Sequence, residues 1–335
     1  MTNQTPMLEA RGLFKYFPVH QALVDSLMRR PHSNVKAVDD VSFSLARGEV
    51  LAVVGESGCG KTTIARTLIG LEALTKGEIV FDGKLVNAHS KQPHIGLKQL
   101  RKRAQMIFQD PYESLNPRAT IFEIVAEPLV VHGTIKDRKE RVAAVKAALE
   151  DAGLRPAEDY FMRYPHELSG GQRQRVVIAS AMVLQPELLI ADEPVSMLDV
   201  SIRAEILNLL RDLRQTRGIS IVFITHDLST VAYFADRIAV MYLGRMVEIG
   251  PAREVLQNPQ HPYTKALISV APVPNPRLRR ERVILQGETP NPINLPTGCR
   301  FHPRCPVAID MCKENDPQLI ELTPGHQAAC LLVAK

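Results

Sequence analysis

The sequence predicts a layered α/β domain organised around a phosphate-binding loop and followed by a proline-rich C-terminal extension. Three observations carry this expectation. Apolar, strand-like runs such as VLAVV (50–54), LLIAD (188–192) and SIVFIT (220–225) alternate with helical stretches. A glycine-rich connection, GESGCGKTT from Gly55 to Thr63, joins the first of these runs to the helical IARTLIGL. From about residue 256 the character changes, and the eight prolines between Pro272 and Pro306 are too many for regular structure.

The elements follow in order. Residues 8–54 hold short strand-like segments (MLEARGLFKYF, AVDDVSFSL, VLAVV). They are interrupted by VHQALVDSLMRRPHSN, an insertion over 19–35 that reads as a solvated loop, or as a contact for acidic lipid or a partner through Arg29 and Arg30. After the glycine-rich loop come GEIVFDG as strand and turn, a polar helix from Leu97 to Arg103, and QMIFQDP. DRKERVAAVKAALEDAGL has the spacing of an amphipathic helix ended by Gly153. A helix from Gln172, the LLIAD strand, another helix, SIVFIT and the hairpin-like RIAVMYLGRMVEIG complete the domain. The expected boundaries are 1–255 for the domain, with a helical subdomain at about 105–180, and 256–335 for the extension.

Composition narrows the function. The 335 residues are 45% hydrophobic, enough for a real core, and 41 basic against 36 acidic residues give a net charge of only +5. That excess is too small to argue for nucleic acid. No apolar run approaches the ~20 residues of a membrane span, and the start, MTNQTPMLEARG, lacks the apolar core of a signal peptide. A cytosolic chain is expected.

Gly55, Gly60, Lys61 and Thr62 fit G-x-x-x-x-G-K-[ST], a phosphate-binding loop. Glycines let backbone N–H groups converge on one point at the positive end of the following helix. Lys61 adds a mobile charge for the β- and γ-phosphates, and the Thr62 hydroxyl can ligate Mg²⁺. The loop residues Gly55, Glu56, Ser57, Gly58, Cys59, Gly60, Lys61, Thr62 and Thr63 are therefore assigned to a nucleoside triphosphate. An ordinary glycine-rich turn is the bland alternative, disfavoured by the strand before and the helix after. Cys59 reads as filling a permissive position. In ELLIADE, Asp192 ends a buried strand where it would hold Mg²⁺, and Glu193, one step on, would orient and deprotonate the attacking water.

LSGGQRQR, Leu168 to Arg175, places a serine and two glycines at a helix start, a second anion site with nothing local to bind. Here the sequence resembles the ATPase subunits of ATP-binding-cassette transporters. The resemblance implies a cassette fold: a RecA-like core, an antiparallel β subdomain and a helical signature subdomain. It also implies that Leu168, Ser169, Gly170, Gly171 and Gln172 cap the γ-phosphate of ATP held by a second subunit. By the same resemblance Gln109 in MIFQDP is the glutamine that senses γ-phosphate and Mg²⁺. Asp199 in SMLD crosses the dimer, and His226 in FITHD contacts the γ-phosphate. The aromatic platform for adenine falls on Phe17, with Tyr16 as the fallback. Thr62, Gln109 and Asp192 are then the Mg²⁺ residues, and Glu193, His226 and Gln109 the catalytic ones.

NPQHPYTKALISVAPVPNP (258–276) and GCRFHPRCP (298–306) resemble the tail of dipeptide/oligopeptide permease ATPases, closest to the second, F-type ATPase. Nickel and glutathione carriers belong to the same group. Cys299, Cys305, Cys312 and Cys330 have spacings that match neither a zinc ribbon nor a ferredoxin run. Family likeness implies a [4Fe–4S] cluster there, with Zn²⁺ as the alternative metal and reduced, packed thiols as the plain one. The resulting expectation is an ATPase that powers peptide import, docked on the cytoplasmic face of the membrane. Its partners would be two permease subunits, a sister ATPase or a second copy, and, through the complex, a solute-binding protein. A cassette ATPase acting on nucleic acid or ribosomes is the rival from another class, disfavoured by the single cassette and the permease-type tail.

Overall fold

A computed structural model describes residues 5–19, 34–86, 94–271, 283–285 and 287–333. The insertion expected over 19–35, with Arg29 and Arg30, lies largely outside the described residues. In chain order the strands are β1 (Leu8–Pro18), β2 (Asn34–Leu45), β3 (Val50–Val54), β4 (Lys76–Phe81), β5 (Lys84–Val86), β6 (His94–Ile95) and β7 (Ala104–Ile107). There follow β8 (Leu188–Asp192), β9 (Ser220–Thr225), β10 (Arg237–Tyr242), β11 (Arg245–Pro251), β12 (Ile320–Thr323) and β13 (His326–Ala328). The chain folds into two compact units, one made of residues 1–8, 45–50 and 81–224, the other of 9–44, 51–80 and 225–335.

In the first unit β8 runs parallel between β7 and β9, with Leu188 opposite Ala104 on one side and Ser220 on the other. Every residue of β8 and β9 is buried, as a parallel strand covered on both faces requires. The helices around them announce their ends in the sequence. Thr120 and Glu123 form a reciprocal capping box ahead of Ile121–His132, and Gly133 closes that helix in the left-handed region at φ 62°. The Asp137 carboxylate accepts from Glu140 N to start Arg138–Asp151. Arg103 ties the unit together, donating to Asp82 at 2.7 Å and through two nitrogens to Glu187.

In the second unit β10 pairs in parallel with β3, Arg237 opposite Leu51, and antiparallel with β11, Ile238 opposite Gly250. The expected RIAVMYLGRMVEIG hairpin is therefore present. The C-terminal chain enlarges this sheet: β13 pairs with β11 and β12 with β13. It also enters the core, where Tyr263 and Phe301 pack with Ala52, Val54, Val240 and Tyr242. Glu248 is fully buried beneath the tail and accepts from Gln260 N at 2.8 Å and His261 N at 2.9 Å, with His326 Nε2 at 2.7 Å. The His261 ring accepts from Tyr263 N, and burial, aided by the charge of Lys265, pushes its pKa down to about 3. A neutral histidine thus caps the helix Pro262–Val270.

Candidate functional site

The phosphate loop belongs to the second unit. It leaves the buried strand β3 at Gly55, where a side chain would meet Met241 O at 2.2 Å. It ends at Gly60, which caps the helix Lys61–Leu68 with φ 106° and no side-chain hydrogen bond. A Cβ at Gly60 would lie 2.0 Å from Ala37 O, so backbone packing and conformation both demand glycine there. Lys61 is 5% exposed, and its Nζ donates to Gly55 O at 2.8 Å and Glu56 O at 2.9 Å. Cys59 is buried, its Sγ 3.9 Å from Lys61 Nζ, and burial raises its thiol pKa, which suits an inert filler rather than a nucleophile. Ser57 and Gly58 lie exposed on the rim, and Thr62 and Thr63 are half-buried in the first helical turn. A helix start with no side-chain cap, joined to a buried lysine, is a donor set that fits a phosphate chain.

Of the two aromatic candidates, Tyr16 is already engaged: its hydroxyl donates to Asp39, and burial together with that carboxylate pushes its pKa up to about 12. Phe17 is the neighbour on the opposite face of β1, half-buried, with Lys15 Nζ 4.6 Å from its ring centre. An apolar ring without a competing hydrogen bond is the better stacking surface.

The first unit holds the acidic residues. Asp192 is 2% exposed at the end of β8. Glu193 turns into the left-handed region at φ 47°, with its N–H donating to Ile224 O at 2.9 Å. That conformation is costly for a residue other than glycine. Gln109, exposed beyond β7, donates from Nε2 to Glu193 Oε2 at 3.4 Å, so the structure brings these two expected catalytic residues together.

The second helix start is satisfied from within. Ser169 caps Gly170–Met182: its Oγ accepts from Gln172 N at 3.3 Å, while Gln172 Oε1 accepts from Ser169 N at 3.0 Å. Leu168 is buried and anchors the turn. Gly171 lets the helix approach its neighbour, since a Cβ there would lie 2.8 Å from Ile202 Cγ2. Gly170 faces Tyr112 and Leu198. Asp199 is exposed at the start of Val200–Arg217 and does not cap it, and His226 in the other unit is exposed after β9.

The four tail cysteines do not assemble as expected. Among the described residues no group of three or more His, Cys, Asp or Glu side chains is gathered closely enough to hold a metal ion. Cys299 and Cys305 pack against the core around Tyr242 and Phe301, and Cys312 is buried. Burial, with the other three thiols adding to it, pushes the Cys299 pKa up to about 11, and burial also raises Cys305 and Cys330. As free thiols, Cys299, Cys305 and Cys330 act here as small, largely apolar fillers, and the expected [4Fe–4S] or Zn²⁺ site finds no support in this arrangement.

Sequence reasoning missed the partners of Glu56. Its carboxylate accepts from Arg304 Nη1 at 2.8 Å and Nη2 at 3.2 Å, and from Thr289 Oγ1 at 2.7 Å. Its N–H donates to Tyr263 Oη at 2.9 Å. HPYTKAL, GETPNP and RFHPRCP contain these residues, yet no local pattern links them to the loop.

Residues 38–196 match the family model of the ABC transporter, and residues 247–312 that of the oligopeptide/dipeptide transporter C-terminal region. The oligopeptide transport ATP-binding protein AppF of Bacillus subtilis is 49% identical over 334 residues, covering 98% of each chain. The dipeptide transport ATP-binding protein DppF of Haemophilus influenzae is 50% identical over 335 residues, covering 98% of this chain and 99% of that one. Among solved structures, the dimeric ATP-binding cassette MJ0796, in a post-hydrolysis state bound to ADP and Pi, aligns with a TM-score of 0.62 at 26% identity. That alignment covers 74% of this chain and 99% of that one.

Proposed function

This chain belongs to the ABC transporter family, as an ATP-hydrolysing subunit of the dipeptide/oligopeptide import group, and on that premise we propose how its residues divide the work. Lys61 and the backbone of Gly55–Thr63 bind the phosphates, and Phe17 stacks on adenine. Thr62, Gln109 and Asp192 are the residues that would hold Mg²⁺, which would supply positive charge against the charge developing on the phosphates. Glu193 takes the proton of the attacking water, Gln109 holds that carboxylate in place, and His226 steadies the terminal phosphate. The observation that carries this reading is the uncapped helix start at Gly60 with buried Lys61 beside it.

Leu168–Gln172 act on ATP bound by a second ATPase subunit, with Asp199 crossing between the two. The dimeric state of the related cassette bound to ADP and Pi supports that arrangement. A sister chain is the preferred second subunit, and a solute-binding protein delivers the peptide to the permease subunits on which the ATPases dock. No helix among the described residues is long and apolar enough to cross a membrane, in keeping with a subunit that works from the cytoplasmic face of separate permease chains. Residues 1–255 form the ATPase domain and 256–335 the transporter-specific extension in this scheme.

The test is Glu193→Gln in the reconstituted complex. MgATP should still bind, while turnover falls by roughly 10²–10⁴-fold, the usual worth of a general base. Wild-type turnover would remove Glu193 from the mechanism.

A further inference from the structure

The tail grips the phosphate loop at one residue, Glu56. Phe301 is 1% exposed and wedged against Tyr242, Tyr263 and His261, with ring centres 5.3, 5.4 and 5.6 Å away. One residue before this plug, Arg300 donates to Asp39 and to Leu243 O. One turn after it, within His302–Arg304, Arg304 N donates to Phe301 O at 3.0 Å, so the Arg304 backbone is built on a buried aromatic. Its guanidinium is a fork on both oxygens of Glu56, the residue directly after Gly55, and Thr289 and Tyr263 hold the same residue from two further directions.

We propose that Arg304 is a positioning residue for ATP binding: by neutralising and fixing Glu56 it keeps the phosphate loop open to the triphosphate and keeps Lys61 available to it. The physical case rests on charge. Lys61 Nζ already donates to the backbone oxygen of Glu56, so the Glu56 carboxylate is the anion best placed to capture that ammonium. A bidentate guanidinium is the strongest competitor a protein can offer for a carboxylate. With Arg304 removed, Glu56 would present an unpaired negative charge beside the phosphate cradle. It would repel the nucleotide and draw Lys61 towards itself. Burial alone would push the Glu56 carboxyl up, but the hydrogen bonds from Arg304 and Thr289 and the charges of Arg304 and Lys61 outweigh it and hold it below the usual range.

This inference rests on the reading of Gly55–Thr63 as the nucleotide site, and titration of the unaltered full chain with MgADP tests that reading by itself. Absence of any binding there would refute both. Given binding, Arg304→Ala should weaken MgADP by about tenfold, as loss of a charged, forked contact does. In the reconstituted complex it should raise KM for ATP by the same factor while kcat stays within about twofold. Arg304→Lys, which keeps the charge and loses the fork, should fall between the two. The decisive comparison is the same Arg304→Ala change made in a Glu56→Gln chain, where the anion it neutralises is gone. There the change should cost less than about twofold. Unaltered affinity in Arg304→Ala would overturn the proposal. So would an equal loss with and without the Glu56 carboxylate, which would mean that the tail's own fold had been damaged.

Discussion

Two helix starts in this molecule are rich in glycine and look alike on paper, yet they are built on opposite principles. At Gly55–Lys61 the helix begins on a left-handed glycine with no side-chain cap, and a buried lysine closes over the loop. At Leu168–Gln172 the helix completes its own hydrogen bonding through Ser169 and Gln172. The first is a helix start that no side chain of its own caps, with a buried cation beside it. The second is a finished cap whose serine hydroxyl, accepting from Gln172 N, still has its own proton to donate outward. The difference teaches that a glycine-rich turn before a helix does not by itself make a binding loop. What distinguishes the two is whether the chain supplies the capping oxygen itself.

The contrast can be broken most sharply by charge. Lys61→Ala should weaken MgADP binding to the full chain by about a hundredfold, the scale of a desolvated charged contact. Ser169→Arg should leave that affinity nearly unchanged and instead lower ATP turnover of the assembled complex at least about a hundredfold. Equal loss of nucleotide affinity in both variants would erase the distinction. Next in size are the glycines. Gly60→Ala places a Cβ on a backbone oxygen in a left-handed conformation and should cost about 3 kcal/mol or more in denaturant titrations. Gly171→Ala meets only the Ile202 methyl, which can give, and should cost about 1 kcal/mol. Ser169→Ala removes one cap and should cost about 1 kcal/mol.

The smallest effect is a titration. The Glu56 carboxyl lies below its ordinary value of 4.5 when folded, so its tie to Arg304 is fully present above that pH. Its contribution to stability should fade as pH drops below 4.5 and disappear as pH passes through the lower folded value. The acid limb of the stability curve should therefore flatten in Glu56→Gln, and an unchanged limb would count against the tie.

Much of this was legible because it is local. VLAVV, the Gly55–Thr63 loop and the following helix are decided within the single stretch Val50 to Leu68, and the cap at Ser169 is as local, since its partner stands three positions on. Arg304 was not legible, because it meets Glu56 across 248 positions and nothing in RFHPRCP distinguishes a surface arginine from one aimed at a phosphate loop. Phe17 was already preferred to Tyr16 in the sequence, but the hydrogen bond that engages Tyr16 with Asp39 is something no strand pattern reveals. The cysteines were ambiguous for the opposite reason. A thiol that ligates metal and a thiol that fills a core share one side chain, and spacing along the chain does not report whether four of them converge.

The order in which the strands of the second unit come together sets a timetable for synthesis. β3 emerges early from a ribosome, but its partner β10 follows only with residues 237–242, and Phe301 and β13 arrive last of all. Until then Val50–Val54 is an apolar strand without β10, and the core that should cover it lacks Phe301. Such a nascent chain carries an unpaired hydrophobic edge for most of its elongation, the condition under which chains need shelter from one another. A message truncated before the codons for residues 237–242 would leave that exposure permanent.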